Sequence, residues 1–238
     1  MDIYILVTNT DRSDFAAKHP RDGEKFTSLL APLRPDWRFT AFDVTLGAFP
    51  DDLDQADGII ITGSPASVHD TSPWIAQLDS TIRIARKNGI PLFGACFGHQ
   101  AIARALGGTV EENPGGWVLG RAVIEITDPA PWMDNAPKHL SLYAAHLEQV
   151  TCLPPGAHVT DGSTPTPVGG FVIEDQVWTT QYHPEMTHGF ITALTEELEG
   201  KLPEKVTETA RQTLKEPADR DTIARWIVQF FEQSAVAG

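Results

Sequence analysis

An α/β fold with one mostly parallel central sheet, helices on both faces and an antiparallel extension is predicted by three observations. The first half of the 238-residue chain alternates short, continuously apolar runs with amphipathic segments. That is how strands buried on both faces and their covering helices read. From about residue 120 the texture changes to shorter strand-like runs separated by turns, as hairpins give. No linker-like stretch divides the halves, so the second half extends the first sheet rather than starting a new domain.

IYILV (3–7) is the first buried-strand run, and GEKFTSLLAPL (23–33) carries Phe26, Leu29, Leu30 and Leu33 at helical spacing. FTAFDV (39–44) and GIIIT (58–62) read as the next strands. PWIAQLDSTIRIARKNG (73–89) is helical, IPLFGA (90–95) is a strand, and QAIARALGG (100–108) is helical again. Gly89 and the Gly107-Gly108 pair sit where those helices should stop. GRAVIEIT (120–127), LSLYAAHLEQVTCL (140–153), HVTDGS (158–163) and FVIEDQVWTTQY (171–182) read as strands, the last folding on itself as a hairpin. Residues 189–199, 204–214 and 219–233 are helical, the last with Ile223, Trp226, Ile227 and Phe230 on one stripe.

The charge balance excludes several functions. There are 18 Lys+Arg against 32 Asp+Glu, a net −14, so phosphates of nucleic acid or anionic lipid would be met against the protein's own field. Residues 110–185 hold ten acids against Arg121 and Lys138; solvated strand edges and loops explain that excess. The two cysteines, Cys96 and Cys152, make no disulfide framework. The N-terminus lacks a basic leader segment, and no apolar run approaches the ~20 residues that span a bilayer. A soluble cytoplasmic protein is expected.

The segment that carries chemistry is Gly94-Ala95-Cys96-Phe97-Gly98, where an apolar strand runs directly into a helix. Small residues two before and two after the central position permit a turn tight enough to present its side chain at the strand's end. A thiolate there sits at a helix N-terminus, stabilised by the dipole and unpaired amides. The amide of Phe97 is placed to meet a developing oxyanion. The segment lacks the Lys-Ser/Thr of a Walker loop and the G-x-G-x-x-G spacing, so it is not read as a phosphate cradle. A buried structural cysteine is the bland alternative. Eight histidines are available as a base. His183, in the run Gln181-Tyr182-His183-Pro184-Glu185 just past a strand, has Glu185 two residues on to orient it. His146 competes for the role, and His188 less so; His99 lies on the elbow's own helix.

Gly94-Ala95-Cys96-Phe97-Gly98-His99-Gln100 together with His183-Pro184-Glu185 resembles a class I, triad-type glutamine amidotransferase domain, over roughly residues 1–190. The resemblance implies a flavodoxin-like fold, with residues 191–238 as helices packed on the same domain. It implies that the amide nitrogen of glutamine is released as ammonia through a γ-glutamyl thioester. Cys96 becomes the nucleophile, His183 the base, Glu185 its partner and Gln100 a contact to bound substrate. Gly63 and Ser64, in Gly58-Ile59-Ile60-Ile61-Thr62-Gly63-Ser64-Pro65, resemble the family's oxyanion loop, sharing the oxyanion with Phe97; Ser64 stands in place of a second glycine. In Ala144-Ala145-His146-Leu147-Glu148, His146 matches a substrate-holding histidine, Glu148 stands for an aspartate and Ala145 lacks the usual hydroxyl.

The resemblance implies no metal or organic cofactor. The 53 residues after Glu185 read as closing helices, and an ATP-binding signature is absent. Three roles follow: a glutaminase serving an ammonia-accepting synthase in trans, a stand-alone hydrolase of γ-glutamyl amines, or a flavodoxin-like binding module that keeps the elbow as scaffold. Gly115-Gly116-Trp117-Val118-Leu119-Gly120-Arg121, with His146-Leu147-Glu148-Gln149-Val150 and Pro73-Trp74-Ile75, looks most like stand-alone relatives of the amidotransferase domain of GMP synthase, a neighbourhood that includes γ-glutamyl peptidases. A stress-response protein sharing the elbow cysteine would lack the His183-Pro184-Glu185 run.

Overall fold

The computed structural model describes residues 1–237, with side chains through Ser234. Gly238, the end of the expected C-terminal segment, lies outside the described residues. The strands are β1 Asp2–Val7, β2 Arg38–Asp43, β3 Gly58–Ile61, β4 Leu92–Ala95, β5 Thr109–Glu112, β6 Val118–Ile126, β7 His139–His146, β8 Glu148–Cys152, β9 Ala157–Gly162, β10 Gly170–Ile173 and β11 Val177–Thr180. The helices are α1 Asp22–Leu30, α2 Pro73–Lys87, α3 Phe97–Ala105, α4 His188–Glu197, α5 Glu204–Thr213 and α6 Arg220–Ala237.

A nine-stranded sheet runs β2-β1-β3-β4-β11-β10-β9-β6-β7. The first five strands are mutually parallel, and antiparallel pairing continues from β11 to the β7 edge. This is the α/β sheet with an antiparallel extension expected from the run of apolar strands. Alternation along each strand sorts its side chains between two layers. Ile3, Ile5 and Val7 of β1 join Phe26, Leu29 and Leu30 of α1 and Ile227, Phe230 and Phe231 of α6 on one face. Leu6, Ile59 and Ile61 meet Leu78 and Ile82 of α2 and Ala101 and Ile102 of α3 on the other. A smaller cluster, with Tyr143, Ile191 and Ala210, seats α4 and α5 on the antiparallel end. The α2 and α3 helices stop where expected: Gly89 and Gly107 follow their last turns at φ +77° and +99°, values that favour glycine.

Two details depart from the sequence expectation. The run 140–153 is not one strand. It breaks at Leu147, whose carbonyl accepts the amide of Asn113 (2.8 Å), so that β7 stays in the large sheet while β8 pairs with β5 in a separate two-stranded sheet. β5 itself, Thr-Val-Glu-Glu with only Val110 buried, carries too little apolar pattern to be seen. The helix after the elbow also starts at Phe97 rather than Gln100, because Gly98 is there for close packing and does not break it.

Candidate active site

Strand register brings the singled-out residues together at the carboxyl ends of the parallel strands, where open α/β sheets place their sites. Ile61 of β3 and Thr179 of β11 are both level with Gly94 of β4. Beyond the last ladder pairs Gly63 stays beside both Cys96 and His183, since a Cβ on it would lie within 4 Å of each side chain. The amide of Cys96 continues the ladder by donating to the Thr180 carbonyl (2.8 Å).

Cys96 links β4 to α3 at φ 51°, ψ −105°, a conformation costing a non-glycine residue about 1–3 kcal/mol. Its neighbours enforce it. A Cβ on Gly94 would lie 2.7 Å from the main chain of Gly98, and one on Gly98 would lie 2.2 Å from the Ile61 carbonyl oxygen. The two glycines therefore let α3 begin directly against the ends of β3 and β4, with the thiol carried at its first turn. The main-chain amides of Gly63, Ser64 and Phe97 donate to no main-chain carbonyl among the described residues. Thr8, at the end of β1, holds the Gly63 loop by donating its hydroxyl to the carbonyls of Thr62 (2.9 Å) and Gly63 (3.1 Å). The Ser64 hydroxyl accepts the amide of Ala66 (3.1 Å), so the side chain that replaces a second glycine closes the turn locally.

His183 is fixed on every side. Its amide donates to the Tyr143 carbonyl (2.9 Å), and Arg220, at the start of α6, donates to the carbonyls of Pro184 (3.1 Å) and Glu185 (3.3 Å). Nδ1 lies 2.7 Å from Glu185 Oε1. The carboxylate accepts, so Nδ1 carries the proton and Nε2 is the free ring atom. Nε2 is buried with no hydrogen-bond partner among the described residues. Burial disfavours a charged imidazole, but the neighbouring Cys96 and Glu185 charges outweigh it and raise His183 well above the usual histidine range. Gly63 leaves room for this ring: a Cβ there would lie 2.7 Å from His183 Cε1 and 3.6 Å from Cys96 Cβ.

The structure places the other expected site residues on the β8 side of Cys96. Gln100 is buried, and its Nε2 donates to the Glu148 carbonyl (2.7 Å) and to Gln181 Oε1 (3.2 Å). His146 is buried with Nδ1 on the Glu148 carbonyl (3.1 Å) and Nε2 near the Thr166 hydroxyl (3.5 Å). Burial, with His183 adding to it against the Glu148 carbonyl's pull, lowers its pKa to about 4. With both nitrogens engaged, His146 is a poor rival base. Glu148 turns its carboxylate to the Ser67 hydroxyl (2.7 Å). His99 is buried on Thr179 Oγ1 (2.8 Å) and lowered to about 3 by burial and by His146; His188 meets the Tyr143 hydroxyl (3.1 Å). Thr8 and Arg220 escaped sequence reasoning, since nothing near either residue signals that it touches a loop 54 or 35 residues away.

Asp161 is buried on β9, with Oδ1 unpartnered and Thr160 donating to Oδ2 (2.9 Å). Burial outweighs that bond and pushes its pKa up to about 7 from 3.8. A raised carboxyl contributes stability in full below pH ~3.8 and loses it as pH climbs to about 7. Asp161→Asn should therefore match the wild type at pH 3.5 and gain on it up to pH 7, by a ceiling of about 4 kcal/mol. Urea unfolding of both proteins across that range checks this; a pH-independent difference would contradict it.

A cavity of about 490 Å³ opens beside Gly63, Ser64 and His183. Among the described residues no group of three or more His, Cys, Asp or Glu is placed to hold a metal ion, and no helix is long and apolar enough to cross a membrane.

The chain has relatives among known proteins. The chain is 30% identical to gamma-glutamyl peptidase 4 of Arabidopsis thaliana, over 91% of this chain and 90% of that protein. It is 36% identical to the GMP synthase [glutamine-hydrolyzing] of Thermosynechococcus vestitus over 78% of this chain, but spans only 32% of that longer protein. Among solved structures, a glutamine amidotransferase of Thermotoga maritima superposes with a TM-score of 0.77 at 17% identity, covering 100% of this chain and 98% of that one, which shows a shared fold. A family model described as glutamine amidotransferase class-I matches residues 38–194, and the chain belongs to that family.

Proposed function

We propose that the chain is a cysteine hydrolase that releases ammonia from the side-chain amide of glutamine through a γ-glutamyl thioester on Cys96. The observation that carries this is His183, locked through Nδ1 to Glu185 with a buried, unpaired Nε2 beside the strained Cys96. In this reading the Cys96 thiolate attacks the γ-carbonyl carbon. The amides of Gly63, Ser64 and Phe97 receive the oxyanion. The C–N bond breaks as Nε2–H of His183 protonates the departing nitrogen. Water then adds to the thioester, giving its proton back to His183 and releasing glutamate and the thiolate. The raised pKa of His183 supports a cation at the start of the cycle. Gln100 and His146 flank the acyl side, and an ammonia-accepting synthase in trans is the partner this reading calls for.

A second reading has specific support: the same chemistry on a γ-glutamyl amine larger than ammonia. The match to gamma-glutamyl peptidase 4 runs nearly end to end, whereas the GMP synthase match leaves most of that protein uncovered. Glutamate release measured with glutamine and with a series of γ-glutamyl amides tests both. Fast release from glutamine supports the first reading, and preference for larger amides supports the second. Silence on every substrate overturns both.

A further inference from the structure

We infer that the cavity beside His183 is the amine-side subsite of this centre and takes an uncharged leaving group with an aromatic body. The inference rests on the reading of Cys96 as nucleophile and His183 as proton donor. Three observations lead to it, beginning with position. Whatever nitrogen His183 protonates departs on the imidazole side of the thiol, and Gly63, Ser64 and His183 all line the cavity. Gln100 and His146 are not among its lining residues and bond instead at β8, with Glu148 and Gln181. The acyl and amine halves of a γ-glutamyl amide thus have separate places.

Size is the second observation. A volume of about 490 Å³ falls within the range of small-molecule pockets, whereas ammonia needs about as much space as a water molecule, roughly 30 Å³. A site built only for glutamine has no use for the remainder.

The third is chemistry. The loop before α1 and the first turn of α4 bring together the rings of Phe15, His19 and Phe190, with centroids 4.6, 5.1 and 5.9 Å apart, and all three line the cavity. Its cations are already answered within the protein. Arg12 and Arg21 both reach Asp43, and Lys25 is held between Asp22 (2.7 Å) and the face of Phe190 (3.6 Å). Asp11, Asp22 and Asp43 match Arg12, Arg21 and Lys25 in number, and the His183 cation is answered by Glu185, so the pocket offers aromatic surface rather than a net positive charge to a carboxylate. This sets apart an arylalkylamine, which it fits, from an amino acid carrying the same ring.

Three probes separate these features: γ-glutamyl-methylamide, γ-glutamyl-phenethylamide and γ-glutamyl-phenylalanine, which adds only a carboxylate to the second. Binding is measured by calorimetry on Cys96→Ala protein, so that no turnover occurs, and glutamate release is followed in parallel on the wild type. The phenethylamide should bind at least about tenfold tighter than either of the others, a difference within reach of a hydrophobic pocket. Phe190→Ala should reduce that ratio to about twofold or less, as should Phe15→Ala, which removes a ring from the loop before α1 and leaves the residues of α4 unchanged. Equal binding of the three, a ratio untouched by both substitutions, or a preference for the phenylalanine conjugate overturns the subsite. Turnover without the ratio leaves the hydrolase reading intact while removing the subsite. The ratio without any turnover keeps the aromatic pocket and overturns the nucleophile, and with it the assignment of the cavity to the amine side.

Discussion

Serine at position 96 is expected to cut γ-glutamyl hydrolysis by about 10⁴-fold or more while leaving the fold in place. The side chain is buried and the replacement nearly isosteric, so packing barely changes. What changes is the nucleophile: a hydroxyl is a far weaker nucleophile than a thiol and is harder for His183 to deprotonate during attack. The histidine should report the loss independently of turnover. Cys96 is one of the two charges that lift His183 against its burial; with serine there, Glu185 alone opposes burial and the imidazole titrates at lower pH. NMR titration of His183 in both proteins reads this directly. Full activity of Cys96→Ser, or an unchanged His183 titration, would show that the thiol is not the group facing the base. Labelling by a glutamine-analogue electrophile gives a third check. It should fall on buried Cys96 and spare exposed Cys152, because reactivity follows thiolate character rather than exposure alone.

How far such a site could be read beforehand depended on how each residue gets there. Gly94, Cys96 and Gly98 were legible because a strand-to-helix turn this tight demands small residues at fixed offsets. His183 was legible because it follows an apolar strand run and has Glu185 two residues on. That this strand, β11, lies parallel to β4 and so ends beside the elbow is visible only in the fold. Arg220 and Thr8 carry no such mark. An arginine at a helix start and a threonine after a strand are commonplace, and only the folded chain shows that they hold the main chain of Pro184-Glu185 and of Thr62-Gly63. The cavity was invisible for a similar reason, since residues 9–25 meet 186–194 only through tertiary packing. The acidic excess of residues 110–185 pointed nowhere useful: of its ten acids only Glu185 lines the cavity. Others are spent on local partners, Glu111 on Thr151 and Glu174 on Arg86. The two-stranded β5–β8 sheet was missed because a strand with one buried side chain gives no periodicity to read.

Alanine at Gly98 should be the most damaging single methyl group in the chain. The added Cβ would sit 2.2 Å from the Ile61 carbonyl oxygen, 2.8 Å from its carbon and 3.0 Å from its Cβ. The first two are main-chain atoms that no rotamer change can move aside. Either α3 lifts off the sheet or β3 shifts within it. β3 is hydrogen-bonded on both sides, to β1 and β4, so its displacement disturbs the centre of the core. Overpacking of movable side chains costs about 1–3 kcal/mol; a clash with fixed backbone belongs above that, at about 4 kcal/mol or more. In a chain this long that lowers Tm by about 10 °C. Function should fall further than stability accounts for, because β3 carries Gly63 and α3 carries Cys96, and their spacing is set at this contact. Protein that still folds at low temperature should accordingly lose activity there too. Gly189→Ala is the matched control: it lies in the first turn of α4 with nothing within 4 Å of the new Cβ, so it should be neutral or stabilising by up to about 1 kcal/mol. Equal melting temperatures for the two variants would mean that the contact between α3 and β3 does not hold the elbow against the sheet.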